Sequence, residues 1–261
     1  MNWKPNGRAP RQLRASRPQL PHAVFAAVPA RAAEVVSSNV VGYQKLSIPA
    51  NGYAMIANPF VEVGTESPIG IDEMFANDKT AATAGSDASK ADNIKIWNGA
   101  AFEMLGYFKS TKSGKFWANA SGTATTDPFP QNAGAFYQSA GTTNTLLVIS
   151  GQVKSNSQTL SIAKKSYTLL ENPFPTALPI QSFNVAGATA GSDASKADNI
   201  KIWNGSGYDS YYFKSTKSGK FWADSSGTQS SYAIPSGTGF FYQSIGDNDF
   251  SVTIESPVSA D

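Results

Sequence analysis

Asp87 and Asp92 stand close together in a polar segment, and the same pair recurs as Asp193 and Asp198. Paired carboxylates are the usual metal-free route to glycoside hydrolysis, one as acid and one as base or nucleophile. The favoured reading is a loop whose aspartates cap backbone amides ahead of a strand at Ile94. A calcium site formed with Ser89 and Asn93 is the alternative, although the spacing matches no EF-hand.

Other common catalytic chemistry has no residues to use. From Ala33 onward there is no histidine, cysteine or arginine. That removes Ser-His-Asp and Cys-His catalysis, His/Cys zinc sites and bidentate arginine clamps on phosphate. No glycine-rich phosphate loop precedes a helical pattern. The expectation is a protein with no catalytic residues, no metal and no cofactor.

Tryptophan and lysine supply the remaining candidate chemistry. If Ile94 and Ile96 face a core, strand alternation turns Lys95 and Trp97 to the opposite face. A three-residue hairpin loop, Lys112-Ser113-Gly114, would pair Lys109 with Trp117 and Ser110 with Phe116. Lys109, Lys115 and Trp117 would then share the outer face, and Gly114 and Gly219 would take positive φ. The second set is Lys201, Trp203, Lys214, Lys220 and Trp222. An indole face rimmed by ammonium groups could stack on acidic sugars. The competing reading packs the tryptophans under a loop, beneath lysine stems or at a domain junction.

These residues lie in an internal repeat. ATAGSDASKADNIKIWNG runs from Ala82 to Gly99 and returns unchanged from Ala188 to Gly205. FKSTKSGKFWA runs from Phe108 to Ala118 and returns from Phe213 to Ala223. A period of about 106 residues is longer than the roughly 20–50 of a solenoid unit. It suits a whole β domain. Alternation at Leu46-Ser47-Ile48 and at Ile94-Lys95-Ile96, with turns at Asn51-Gly52, Asn98-Gly99 and Ser113-Gly114, predicts short strands. Ile71 to Asn77 is the one helical stretch expected. The reading is all-β: two tandem homologous β-sandwich or Greek-key barrel domains, residues 33–150 and 151–261, each with its own core and joined near Ser150-Gly151.

Charge divides differently. All five arginines and His22 fall within the first 31 residues, and no carboxylate precedes Glu34. The remainder carries 15 lysines against 19 carboxylates, a net charge of −4. This argues against nucleic-acid binding. The basic segment, the apolar run from Ala23 to Val28 and the small-x-small pattern Ala30-Arg31-Ala32 predict a cleaved targeting peptide over residues 1–32. No apolar run is long enough for a membrane helix.

The order of GYAMIANPF (52–60), DNIKIWNG (92–99), an aromatic hairpin, GAFYQS (134–139) and a closing apolar strand resembles an uncharacterised family. Its members are secreted β-rich proteins of verrucomicrobial type, and similar modules occur in surface proteins of other Gram-negative bacteria. The resemblance implies export and a non-catalytic structural or cell-surface role. It supplies no active-site residues. The second set departs from it at Lys164-Lys165-Ser166-Tyr167, where a glycine-aromatic pair belongs. Expected partners are an extracellular glycan, other surface proteins or a second copy of this chain. Location at the cell surface, in the medium or in the periplasm and outer envelope follows from the same resemblance.

Overall fold

The computed structural model describes residues 40–75 and 81–258. The expected targeting peptide lies outside the described residues. The first half contains β1 (Val41–Ile48), β2 (Tyr53–Ile56), β3 (Phe60–Val61), the single-turn helix α1 (Ile71–Met74), β4 (Asn93–Trp97), β5 (Phe102–Thr111), β6 (Gly114–Ala118), β7 (Ala135–Gln138) and β8 (Thr145–Val153). The second contains β9 (Gln158–Ile162), β10 (Tyr167–Glu171), β11 (Leu178–Pro179), β12 (Asn199–Trp203), β13 (Tyr208–Thr216), β14 (Gly219–Ala223), β15 (Ala233–Ile234), β16 (Gly239–Gln243) and β17 (Phe250–Ile254). The fold is all-β, as the strand patterns predict. The expected helix begins at Ile71 and runs to Met74, with Phe75 at its end; the rest of the expected stretch, Ala76 and Asn77, lies outside the described residues.

Each half has one five-stranded antiparallel sheet. The orders are β2-β7-β4-β5-β6 and β10-β16-β12-β13-β14. A smaller sheet packs over each, β1-β8-β3 in the first half and β9-β17 in the second. Among the described residues no sheet closes on itself, so the barrel alternative is not realised. The two layers enclose separate cores. Ile48, Ile94, Phe108, Trp117 and Tyr137 meet in the first, and Ile162, Ile200, Phe213, Trp222 and Tyr242 in the second. The expected joint at Ser150-Gly151 falls inside β8, which continues to pair with β3 at Gln152 and Val153.

Local chemistry explains the repeated landmarks. In each Asn-Pro-Phe, the asparagine Oδ1 accepts the phenylalanine N–H, at 3.1 Å from Asn58 to Phe60 and 3.2 Å from Asn172 to Phe174. Such a side-chain turn gives the phenylalanine N–H an acceptor, and the proline between, with no N–H to donate, ends the preceding strand. Lys165 takes φ 49°, matching Asn51 at φ 50°, so the divergent Lys-Lys-Ser-Tyr segment keeps the backbone bend of Asn51-Gly52. The offset between the halves drops by one residue at Leu105, where the β4–β5 register skips from Ile94↔Gly106 to Lys95↔Met104. That skip is a bulge, and β12–β13 pairs without one.

The hairpin register differs from expectation. Thr111 pairs with Gly114, Phe108 with Trp117 and Lys109 with Phe116, leaving a two-residue loop of Lys112 and Ser113. The same pairing holds from Thr216↔Gly219 to Phe213↔Trp222. Gly114 and Gly219 nevertheless take positive φ, 134° and 139°. A Cβ on Gly114 would meet nothing within 4 Å. Gly114→Val should therefore cost about 1–2 kcal/mol from backbone strain alone. Urea unfolding checks this: the midpoint should fall with an unchanged slope.

Candidate functional site

The carboxylates are committed to the fold. Asp92 and Asp198 are fully buried. Asp92 accepts Thr83 N–H at 2.9 Å, Tyr137 O–H at 2.7 Å and Ala140 N–H at 2.8 Å. Asp198 repeats the set with Thr189, Tyr242 and Ile245. Burial, with Asp198 beside it, pushes the Tyr242 hydroxyl far above its ordinary range. Each aspartate thus ties the entering loop to the start of its strand and to the strand beside it. Asp87 caps the short turn Ala88–Lys90 through Ser89 N–H, and Asp193 caps Ala194–Lys196 through Ser195 N–H. Hydrogen bonds from the Ser89 and Ser86 hydroxyls, with Lys90 nearby, hold Asp87 down at about 2. Asp193 is lowered in the same way. Among the described residues no three His, Cys, Asp or Glu side chains gather as a metal-binding group.

The tryptophans separate into two kinds. Trp117 and Trp222 are 1% and 0% exposed and lie in the cores. Their expected outer-face position is thereby corrected. The cause is the two-residue loop, which shifts the register by one and so exchanges the faces. Phe116, not Trp117, shares a face with Lys109. Lys109 donates to the Gly122 carbonyl at 2.7 Å, and Lys214 to that of Gly227 at 2.7 Å. Lys115 and Lys220 are exposed.

Trp97 and Trp203 do face away from the cores, but onto the other half of the molecule. Trp97 Nε1 donates to the Tyr167 carbonyl at 2.9 Å, and Trp203 Nε1 donates to the Tyr53 carbonyl at 2.9 Å. The bonds are reciprocal: each half inserts one indole against the first residue of the other half's edge strand. Between them lies a third buried cluster of Met55, Phe136, Leu169 and Phe241. The outer faces of the five-stranded sheets therefore meet through an apolar layer. Lys95 donates to Gln138 at 2.8 Å, and Lys201, on the equivalent strand β12, is half-buried. The predicted lysine–tryptophan platform is thus dispersed over a core, a junction and a hairpin.

Four aromatic rings that the sequence did not single out rim this junction. Tyr53, Phe102, Tyr167 and Tyr208 are 40, 44, 39 and 40% exposed. Phe102 packs edge-on against Trp97 at 5.0 Å and Phe136 at 5.2 Å. Tyr208 lies 5.2 Å from Trp203 and 6.1 Å from Phe241. Their common signal was present at Ala135-Phe136-Tyr137 and Phe240-Phe241-Tyr242. An unbroken apolar run in a sheet means burial on both faces.

One charged pair reinforces the junction. Glu171 and Lys154 meet at 2.7 Å with side chains 0% and 4% exposed. Glu171 also accepts the N–H groups of Asn58 at 3.2 Å and Asn132 at 2.9 Å, both from the first half. Burial raises its pKa, and the Lys154 ammonium opposes the shift. The corresponding residue of the first half is Ala57.

No protein-family model matches the chain, and neither do any curated protein or solved structure.

Proposed function

We propose that this is an exported, non-catalytic interaction protein of duplicated β domains, acting at the cell surface. The observation that carries the reading is the half-exposed aromatic rim of Tyr53, Phe102, Tyr167 and Tyr208 around an otherwise sealed junction. Exposed rings set on a packed layer form a contact surface at low entropic cost, because their neighbours already hold them. The carboxylates support the same reading, since Asp92 and Asp198 spend their oxygens on backbone and tyrosine donors. A second reading, glycan binding, draws on the same rings: their free faces could stack on sugars, whereas the four repeat tryptophans are engaged elsewhere.

The test uses labelled protein and envelopes of the cells that produce it. Wild type should bind saturably. Phe102→Ser with Tyr208→Ser should weaken binding about tenfold, the loss expected of two aromatic anchors, with binding compared at a temperature where the variant is folded, because the lost ring contacts also lower its unfolding midpoint. Equal binding by the variant would overturn the rim as the contact surface. Intact mass of the exported protein tests the route: loss of about 32 residues supports a cleaved targeting peptide, and retained Met1 contradicts it.

A further inference from the structure

The two halves are identical where packing does not demand it. Core positions such as Ile94, Phe108 and Trp117 have a packing reason to match their counterparts. Lys112, Ser113 and Lys115, and their counterparts Lys217, Ser218 and Lys220, are exposed and yet unchanged. Identity breaks where the strings end: Asn119-Ala120 stands against Asp224-Ser225, and Ala100-Ala101-Phe102 against Ser206-Gly207-Tyr208.

The shared surface is the tip of the β5–β6 hairpin and of its counterpart β13–β14, at the sheet edges away from β2 and β10. Its charge opposes that of the rest. The chain beyond Ala33 is net negative, but each tip carries two exposed lysines (Lys112 and Lys115, or Lys217 and Lys220), with Lys109 or Lys214 further back on the same hairpin. Lys90 and Lys196 are paired with Asp87 and Asp193. The tip lysines have no carboxylate partner among the described residues, and Lys109 and Lys214 donate only to neutral carbonyls.

We infer that the two hairpin tips are paired binding sites for an anionic polysaccharide. This names a partner class for the surface role proposed above and rests on that reading. Three observations select the class. The tips carry Thr111, Ser113, Thr216 and Ser218 beside the lysines, so hydroxyl groups accompany the charge. They expose no apolar side chain that could enter a lipid layer. No arginine occurs after Arg31, which leaves no bidentate fork for phosphate diesters. Solvated ammonium groups among hydroxyls match a polymer whose carboxylates or sulfates are spaced by sugar hydroxyls. Each tip alone binds weakly, and two on one chain reinforce each other.

The experiment titrates full-length protein with alginate, which carries carboxylates, and with dextran sulfate, which carries sulfates, against neutral dextran. The probes are compared at low and moderate salt. The variants are K112Q/K115Q, K217Q/K220Q and the four combined. Binding to at least one anionic polymer, absent with dextran, should weaken as salt rises. Either pair should reduce it, and the quadruple variant should lose about tenfold or more, beyond the effect of one pair. Unfolding midpoints should stay put because the side chains are exposed. The inference is overturned by undiminished binding in the quadruple variant, by no binding of either polymer at low salt, or by tighter binding to duplex DNA or anionic vesicles. The Phe102→Ser/Tyr208→Ser variant should bind alginate or dextran sulfate as wild type does. Failure at the tips therefore stays distinct from failure of the aromatic rim.

Discussion

Trp117→Ala and Trp222→Ala should each destabilise the protein by about 3–5 kcal/mol, the range for emptying a buried aromatic site. Trp117 packs between Phe75 at 5.3 Å and Phe108 at 5.4 Å, with Tyr137 at 6.2 Å. Trp222 stacks on Phe213 at 5.3 Å and meets Tyr242 edge-on at 5.7 Å. Phe108, Tyr137, Phe213 and Tyr242 are fixed in strands and Phe75 at the end of α1, so filling the space would need a backbone shift. Phenylalanine separates shape from polarity. The Trp222 Nε1 is buried and has no hydrogen-bond partner among the described residues. Trp222→Phe removes that unpaired donor along with the lost volume and should cost only about 1–2 kcal/mol. Denaturant unfolding of the three variants decides the matter. An alanine cost under about 1 kcal/mol would place the indoles at a surface rather than in a core.

The second large effect concerns Glu171. Glu171→Ala should cost about 3–5 kcal/mol, because it leaves the Lys154 ammonium buried without its counter-charge. Two backbone donors, Asn58 and Asn132, lose their acceptor as well. Replacing both partners, as Glu171→Leu with Lys154→Met, removes the unpaired charge and should recover part of that loss, the two orphaned backbone donors keeping the rest. Ala57 already shows that an apolar residue is tolerated at the corresponding position. The pH dependence follows from the raised Glu171 pKa. A folded-state value above the usual 4.5 means that the folded protein holds the proton more tightly than the unfolded chain. From about pH 4.5 up to that raised value, the Glu171 contribution to stability falls as pH increases. Glu171→Gln should remove this slope. Unfolding measured from pH 4 to 8 compares the two, and an unchanged slope would mean that other groups produce it.

Much of this fold was legible in local patterns, and its junction only as one of the alternatives for the tryptophans, which Trp97 and Trp203 realise. Ile94 and Ile96 face the first core and Lys95 and Trp97 face away, as two-residue periodicity requires. The repeated landmarks foretold the order of strands in both halves. The hairpin was misjudged because Lys112-Ser113-Gly114 suits a two- or a three-residue loop equally well. The neighbouring Phe116 and Trp117 are both aromatic, so hydropathy could not choose the register. The partners across the junction were hidden for a different reason. Glu171 and Lys154 meet through tertiary packing and share no local motif. The indoles of Trp97 and Trp203 find carbonyls at Tyr167 and Tyr53, far away in sequence. Periodicity assigns a residue to a face, but only the tertiary arrangement decides whether that face meets water or another sheet.

The repeat tryptophans build one folded body, with Trp97 and Trp203 pinning its halves together. Differential scanning calorimetry of the full chain tests this. A shared buried layer makes unfolding of one half expose apolar surface on the other, so the halves should melt together. The calorimetric and van't Hoff enthalpies should agree for wild type. Trp97→Ala with Trp203→Ala should split the transition or push the calorimetric enthalpy well above the van't Hoff value. Two separate transitions in the wild-type protein, unmoved by that double substitution, would mean that the halves fold independently and the tryptophans do not join them.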